Sequence, residues 1–164
     1  MAHYMKVVAN KTASLISTSA RFGAMLSGAD PRITESITQF GELIGTAFQL
    51  ADDILDIASE SAQSGKTPGT DLKEGIPTLV TILARQSNNP ADADLKEILS
   101  KPIHDEVLLQ ETLQRLRGHK AMSQARAMLA DTADKAVALL EDLPENSVKQ
   151  ALLGVISAVI NRSA

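Results

Sequence analysis

The stretch Phe48-Gln49-Leu50-Ala51-Asp52-Asp53-Ile54-Leu55-Asp56 sets three carboxylates into an otherwise apolar run. Aspartate is a poor residue for a helix interior, and a buried unpaired charge is costly, so three of them need compensation. On a helix, Asp52 and Asp56 lie one turn apart on one face, with Asp53 beside them. Such a comb of hard oxygen donors suits Mg²⁺, which keeps most of its water and takes one or two protein carboxylates plus phosphate oxygens. The plainer alternative is a solvated acidic edge.

Helical periodicity extends outward from this run over nearly the whole chain. Asp30 and Pro31 read as cap and first residue of a long helix that carries the aspartates and ends near Ser59, on the order of 40 Å in length. Before it, Tyr4 to Ser27 reads as one helix rich in small residues (Ala13, Ser17, Ala20, Ala24) and ended by Gly28. After it, Ser61 to Asp71 holds Gly65, Pro68 and Gly69 and reads as a loop. Asp71-x-x-Glu74 resembles a capping box, but Gly75 and Pro77 follow so closely that the next helix is placed from Pro77 to about Gln86. Further helices are expected over Asp92–Leu99, Asp105–Arg117, Lys120–Leu143 (stopped by Pro144) and Asn146–Asn161. The fold class is therefore all-α, a bundle of about seven helices in a single domain over residues 1–164.

Composition agrees and excludes several functions. The 164 residues are 44% apolar but only 2% aromatic, a palette that suits packed helices better than a sandwich or barrel. With no cysteine there are neither disulfides nor thiolate metal sites. A net charge of −4 without a dense basic run argues against nucleic acid as a partner. The most apolar stretch, Ala151 to Ile160, is too short to span a bilayer, so the chain is not expected to be transmembrane.

Several other residues could serve the aspartates. Lys66, in the Gly/Pro loop after the Asp helix, could fold over a phosphate as a point charge; taken alone, a solvated loop lysine is the simpler reading. Lys11-Thr12 pairs a cation with a hydroxyl in a helix otherwise dominated by small and apolar residues, and there too the lysine alone could snorkel to solvent. Gln49, one turn before Asp52, shares its face and could orient a substrate or a water. His3, His104 and His119 have no metal-ligand spacing and read as solvated.

Taken in order, Lys11-Thr12, Gly45 through Asp56, Lys66-x-x-Gly69-x-Asp71-Leu72 and Glu74-Gly75-x-x-Thr78-Leu79 resemble the trans-type polyprenyl diphosphate synthases. The likeness runs on through Ala125-Arg126 and Leu143-Pro144 to Val159-Ile160-Asn161-Arg162-Ser163-Ala164, so it covers essentially the whole chain and suggests a natural C-terminus. The resemblance implies half of an isoprenoid-synthase-type fold, the C-terminal half carrying the second Asp-rich motif. It also implies a Mg²⁺-dependent prenyltransferase reaction, in which isopentenyl diphosphate is condensed with an allylic diphosphate to give a longer polyprenyl diphosphate. Carried over residue by residue, Asp52 is the main metal ligand, supported by Asp53 and Asp56. Lys11 and Lys66 neutralise diphosphate. Thr12 and Gln49 face the developing allylic cation, Phe48 walls the substrate pocket, and Lys11, Thr12, Gln49 and Asp52 form the catalytic set. The apolar faces of the first two helices would line the channel for the growing chain.

The chain also departs from the pattern. Gly75-Ile76 stands where many members have Gly-Lys, and Thr78-Leu79-Val80 where Thr-Leu-Pro is usual. The family's first Asp-rich motif and its basic isopentenyl-diphosphate segment have no counterpart in these residues. The expectation is a C-terminal fragment that is inactive alone and cytoplasmic, with a missing N-terminal half or partner subunit and a homodimer when intact. An alternative is a non-catalytic prenyl-diphosphate-binding or regulatory subunit of a heteromeric synthase. A plain helical interaction protein with an idle Asp cluster and a terpene cyclase-like enzyme are the other classes, the latter disfavoured by the Gly65-to-Leu79 pattern.

Overall fold

In a computed structural model, which describes residues 1–59 and 67–162, every regular element among the described residues is helical. The chain forms α1 (Ala2–Val8), a π-helical turn (Ala9–Ala13), α2 (Ser14–Leu26) and α3 (Pro31–Ala58). It continues through α4 (Thr70–Glu74), α5 (Leu79–Arg85), a 3₁₀ turn (Pro90–Asp92), α6 (Ala93–Ile98), α7 (Glu106–Arg117), α8 (Lys120–Ala138) and α9 (Ser147–Asn161). No helix among them is long and apolar enough to cross a membrane. Two compact units result, residues 2–51 with 128–162 and residues 52–127, with α3 and α8 each supplying residues to both.

The first unit is built on an antiparallel hairpin. Gly28 closes α2 at φ 78°, a left-handed conformation that suits glycine. The Asp30 carboxylate then accepts the amides of Arg32 and Ile33 and opens α3, as its sequence predicts. The two helices approach closely because their contact face is almost bare. A Cβ added at Gly45 would stand 2.5 Å from Ala13 Cα, and one at Gly41 2.8 Å from Ser17 Cα. The Ser17 hydroxyl donates to the Thr38 carbonyl at 2.9 Å across the same seam.

Where Ala13 meets Gly45, the first helix is not the continuous α-helix its periodicity suggests. The Ser14 amide bonds back to the Ala9 carbonyl, one residue farther than an α-helical bond, and Lys11-Thr12 sits in this π turn. At the other end of the unit, α8 stops at Ala138 rather than Leu143. The reason is Lys149, a buried lysine at the start of α9, whose amine donates to the carbonyls of Glu141 and Leu143 and to the Glu145 carboxylate. A buried ammonium needs such partners, and a turn supplies carbonyls that a continuing helix would use internally. Asn146 caps α9 by accepting the amides of Val148 and Lys149.

In the second unit, α5 begins at Leu79 and not at Pro77, because Thr78 is the cap, exchanging bonds with Thr81. The short α4 forms where proline and glycine argued against a helix: Gly69 and Gly75, at φ 78° and 70°, bound it at either end. The core joins Leu79, Val80, Leu95, Leu109, Leu113 and Leu116, all fully buried. His119 is half-buried rather than solvated. Its Nδ1 accepts the Ala121 amide at the start of α8, and Nε2 lies 3.1 Å from the Asp92 carboxylate.

The hairpin seam makes a sharp prediction. Gly45→Ala places a methyl into Ala13 backbone that cannot yield, and should destabilise the chain by about 3 kcal/mol. Urea unfolding will measure it, and Gly23→Ala, where an added Cβ meets nothing within 4 Å, is the matched control with little effect.

Candidate metal and diphosphate site

The three aspartates occupy the last turns of α3, the end where a helix already carries partial negative charge. This end is held by Arg117, which donates through Nε to the Ile57 carbonyl and through its guanidinium to the Ser59 carbonyl, both at 2.8 Å. The aspartates then divide in role. Asp53 is buried, and its carboxylate accepts the Leu79 amide at 2.8 Å, so it secures the N-terminus of α5. Asp52 is half-buried. Asp56, also half-buried, takes the Gly69 amide on its backbone carbonyl and the Thr70 amide on Oδ1 at 3.2 Å.

The second oxygen of Asp56, Oδ2, is buried and has no hydrogen-bond partner among the described residues. Burial, followed by the nearby carboxylate of Asp71 and then that of Asp53, pushes the Asp56 carboxyl up to about 6, against the lowering effect of the Thr70 and Asp71 amides. Among the described residues no three His, Cys, Asp or Glu side chains converge closely enough to hold a metal by themselves.

In the other unit, residues far apart in sequence meet. The Thr12 hydroxyl lies 3.4 Å from Gln49 Oε1, a long but direct contact across the α2–α3 seam. Lys11, beside it on the π turn, is exposed. Phe48 is half-buried, and the guanidinium of Arg162 sits 4.6 Å from its ring centroid, a cation–π contact that local pattern could not reveal. Lys66 lies outside the described residues. In the same unit, α2, α3 and α9 line an open apolar cleft of about 610 Å³, with Ile16, Ala20, Ile37, Phe40 and Leu152 in its walls.

Two substitutions separate the aspartates. A folded-state value for Asp56 raised from 3.8 means that its stabilising contribution is complete below about pH 4 and is lost as pH rises through about 6. Asp56→Asn should therefore raise metal-free stability near neutral pH, on the order of 1 kcal/mol after solvent screening, with the gain vanishing below about pH 4. Thermal melts across pH read this directly. Asp53→Ala should instead cost about 1 kcal/mol through the lost cap on Leu79, while Asp53→Asn keeps an oxygen acceptor there and retains most of it.

Residues 1–116 match the family model for polyprenyl synthetase. The chain is 41% identical over 159 residues to a nonaprenyl diphosphate synthase of Mycobacterium tuberculosis, covering 97% of this chain and 48% of the relative. To an octaprenyl diphosphate synthase of Escherichia coli it is 32% identical, covering 98% and 50%. Among solved structures it is similar to a geranylgeranyl pyrophosphate synthase from Corynebacterium glutamicum complexed with calcium and isoprenyl diphosphate. That match has a TM-score of 0.91 and 34% identity, over 99% of this chain and 50% of the other. A polyprenyl synthase from Caulobacter crescentus, likewise complexed with calcium and isoprenyl diphosphate, superimposes with a TM-score of 0.90 at 32% identity, over 100% and 50%. The chain thus spans about half the length of the relatives it matches, corresponding to their C-terminal half. It belongs to the polyprenyl synthetase family.

Proposed function

We propose that this chain is the half of a polyprenyl diphosphate synthase that holds the allylic diphosphate through Mg²⁺, for condensation with isopentenyl diphosphate. The observation that carries this reading is Asp56 Oδ2, a buried carboxylate oxygen without a hydrogen-bond partner among the described residues, at the end of a helix bearing two more aspartates. Leaving it unsatisfied is costly unless a cation occupies the site in the working protein. Asp52 and Asp56 are the ligands, and Asp53 sets their helix against α5. Bound there, Mg²⁺ would supply Lewis-acid withdrawal of charge from the departing diphosphate.

The remaining assignments are made by residue chemistry. Lys11, exposed on the π turn, and Lys66 offset diphosphate charge. Thr12 and Gln49 present oxygen dipoles toward a carbon that becomes positive, which favours the cation electrostatically without a nucleophile to trap it. Phe48 walls the pocket, and the apolar cleft receives the growing chain. On α2 the large apolar side chains of Leu15, Phe22, Met25 and Leu26 are more than half exposed. A face of this kind calls for a partner, and the half of the relatives not spanned by this chain is the one assigned to it. That half would also supply the first Asp-rich motif and the isopentenyl diphosphate subsite, so this chain should be inactive alone.

Calorimetric titration with inorganic pyrophosphate tests the metal assignment. Binding should require Mg²⁺, and Asp52→Ala or Asp56→Ala should weaken it at least tenfold with the helical circular dichroism unchanged. Equal binding with and without Mg²⁺, or in the Asp52 variant, would falsify the metal role.

A further inference from the structure

We infer, on the function proposed above, that Arg117 is the positioning residue of the carboxylate site. From the end of α7 it holds the end of α3 against the Gly69–Thr70 amides, and so fixes how Asp56 presents its carboxylate.

The Asp56 side chain is aimed by a segment outside its own helix. Its Oδ1 accepts the Thr70 amide at 3.2 Å, and its backbone carbonyl accepts the Gly69 amide at 2.9 Å. Oδ2 is left buried with no hydrogen-bond partner among the described residues. A short side chain tied at one oxygen and at its own carbonyl keeps little rotamer freedom. What can still vary is the separation between the end of α3 and the Gly69–Thr70 backbone. Whatever sets that separation sets the carboxylate.

One helix holds both sides of the pairing. On the α3 side, Arg117 donates through Nε to the Ile57 carbonyl and through Nη2 to the Ser59 carbonyl, each at 2.8 Å and each just past Asp56. On the amide side, Gly69 lies against α7. A Cβ built there would stand 3.0 Å from a Leu109 methyl and 3.2 Å from a Leu113 methyl, and its φ of 78° favours glycine. Leu109, Leu113 and Arg117 are spaced by four, so they form one face of α7. That face meets the chain at Ser59 and again at Gly69.

Arginine suits this place by shape as well as by charge. Helices α3 and α7 both end here, each with partial negative charge at its C-terminus, and three aspartates stand on the last turns of α3. A guanidinium offers its N–H groups in a rigid fork and can take two neighbouring carbonyls at once, whereas a lysine ammonium is a point charge on a flexible stem. Both Arg117 bonds go to backbone carbonyls, so they order the helix end itself. Arg117 is exposed, and removing it opens no cavity in the core.

The test combines amide hydrogen exchange with calorimetric titration of inorganic pyrophosphate in Mg²⁺, both on the full chain. In Arg117→Ala the Gly69 and Thr70 amides should exchange about tenfold faster. Mg²⁺-dependent pyrophosphate binding should weaken about tenfold or more, the usual effect of losing a group that orients a metal ligand. Arg117→Lys keeps the charge and loses the fork, so it should bind within about threefold of the alanine variant. Arg115→Ala removes the same charge from the same turn, where the guanidinium pairs with Asp94, and should leave both readouts within about twofold of the parent. With Asp56→Asn already in place, Arg117→Ala should weaken binding by no more than about twofold, because its effect runs through Asp56. A general loss of stability would act equally in both backgrounds. Unchanged exchange in Arg117→Ala, full recovery in Arg117→Lys, or an equal loss beside Asp56→Asn overturns the inference. If the parent chain binds pyrophosphate without Mg²⁺, the metal assignment fails, and exchange of the Gly69 and Thr70 amides alone decides whether Arg117 holds them in place.

Discussion

Ala13 lies against Gly45 with no room for one more carbon, and the first unit is organised by that contact. Two helices this close keep one register, because sliding either by a turn would drive a side chain into backbone. The register brings Thr12 to Gln49, residues that no local rule connects. The contact also coincides with the π turn, whose extra residue changes where the neighbouring Lys11 and Thr12 fall on the helix surface. Packing and the candidate chemistry thus share one cause, and the glycines serve the site without touching it.

The carboxylates pose the opposite problem. Three aspartates at the C-terminal end of a helix oppose the macrodipole and one another. The fold relieves part of this. Asp53 accepts the first amide of α5, and Arg117 takes up carbonyls at the end of α3. It leaves Asp56 with an oxygen that no described residue answers and a carboxyl pushed up to about 6.

Much of this was legible in the sequence. Asp30-Pro31 opened α3, Asp105 and Asn146 opened α7 and α9, and the apolar, aromatic-poor composition gave an all-helical fold. Each is a local signal, readable within one turn of chain. What local pattern could not carry were the long-range bonds. The contact of Ala13 depends on Gly45, the role of Asp53 on Leu79, and the setting of Phe48 on Arg162 near the other end of the chain. The early end of α8 belongs to the same class: its periodicity persists to Leu143, and a buried lysine in the next helix overrules it. Nothing within one turn of Lys149 marks it as buried; only its surroundings do.

Isopentenyl transfer by reconstituted halves addresses the account most directly. This chain would be mixed with the N-terminal half of a related polyprenyl diphosphate synthase, with Mg²⁺, an allylic primer and labelled isopentenyl diphosphate. The account predicts no elongated product from this chain alone, product from the pair, and its loss when Asp52→Ala replaces the parent chain. Product from this chain by itself, or from a pair indifferent to Asp52, would contradict it.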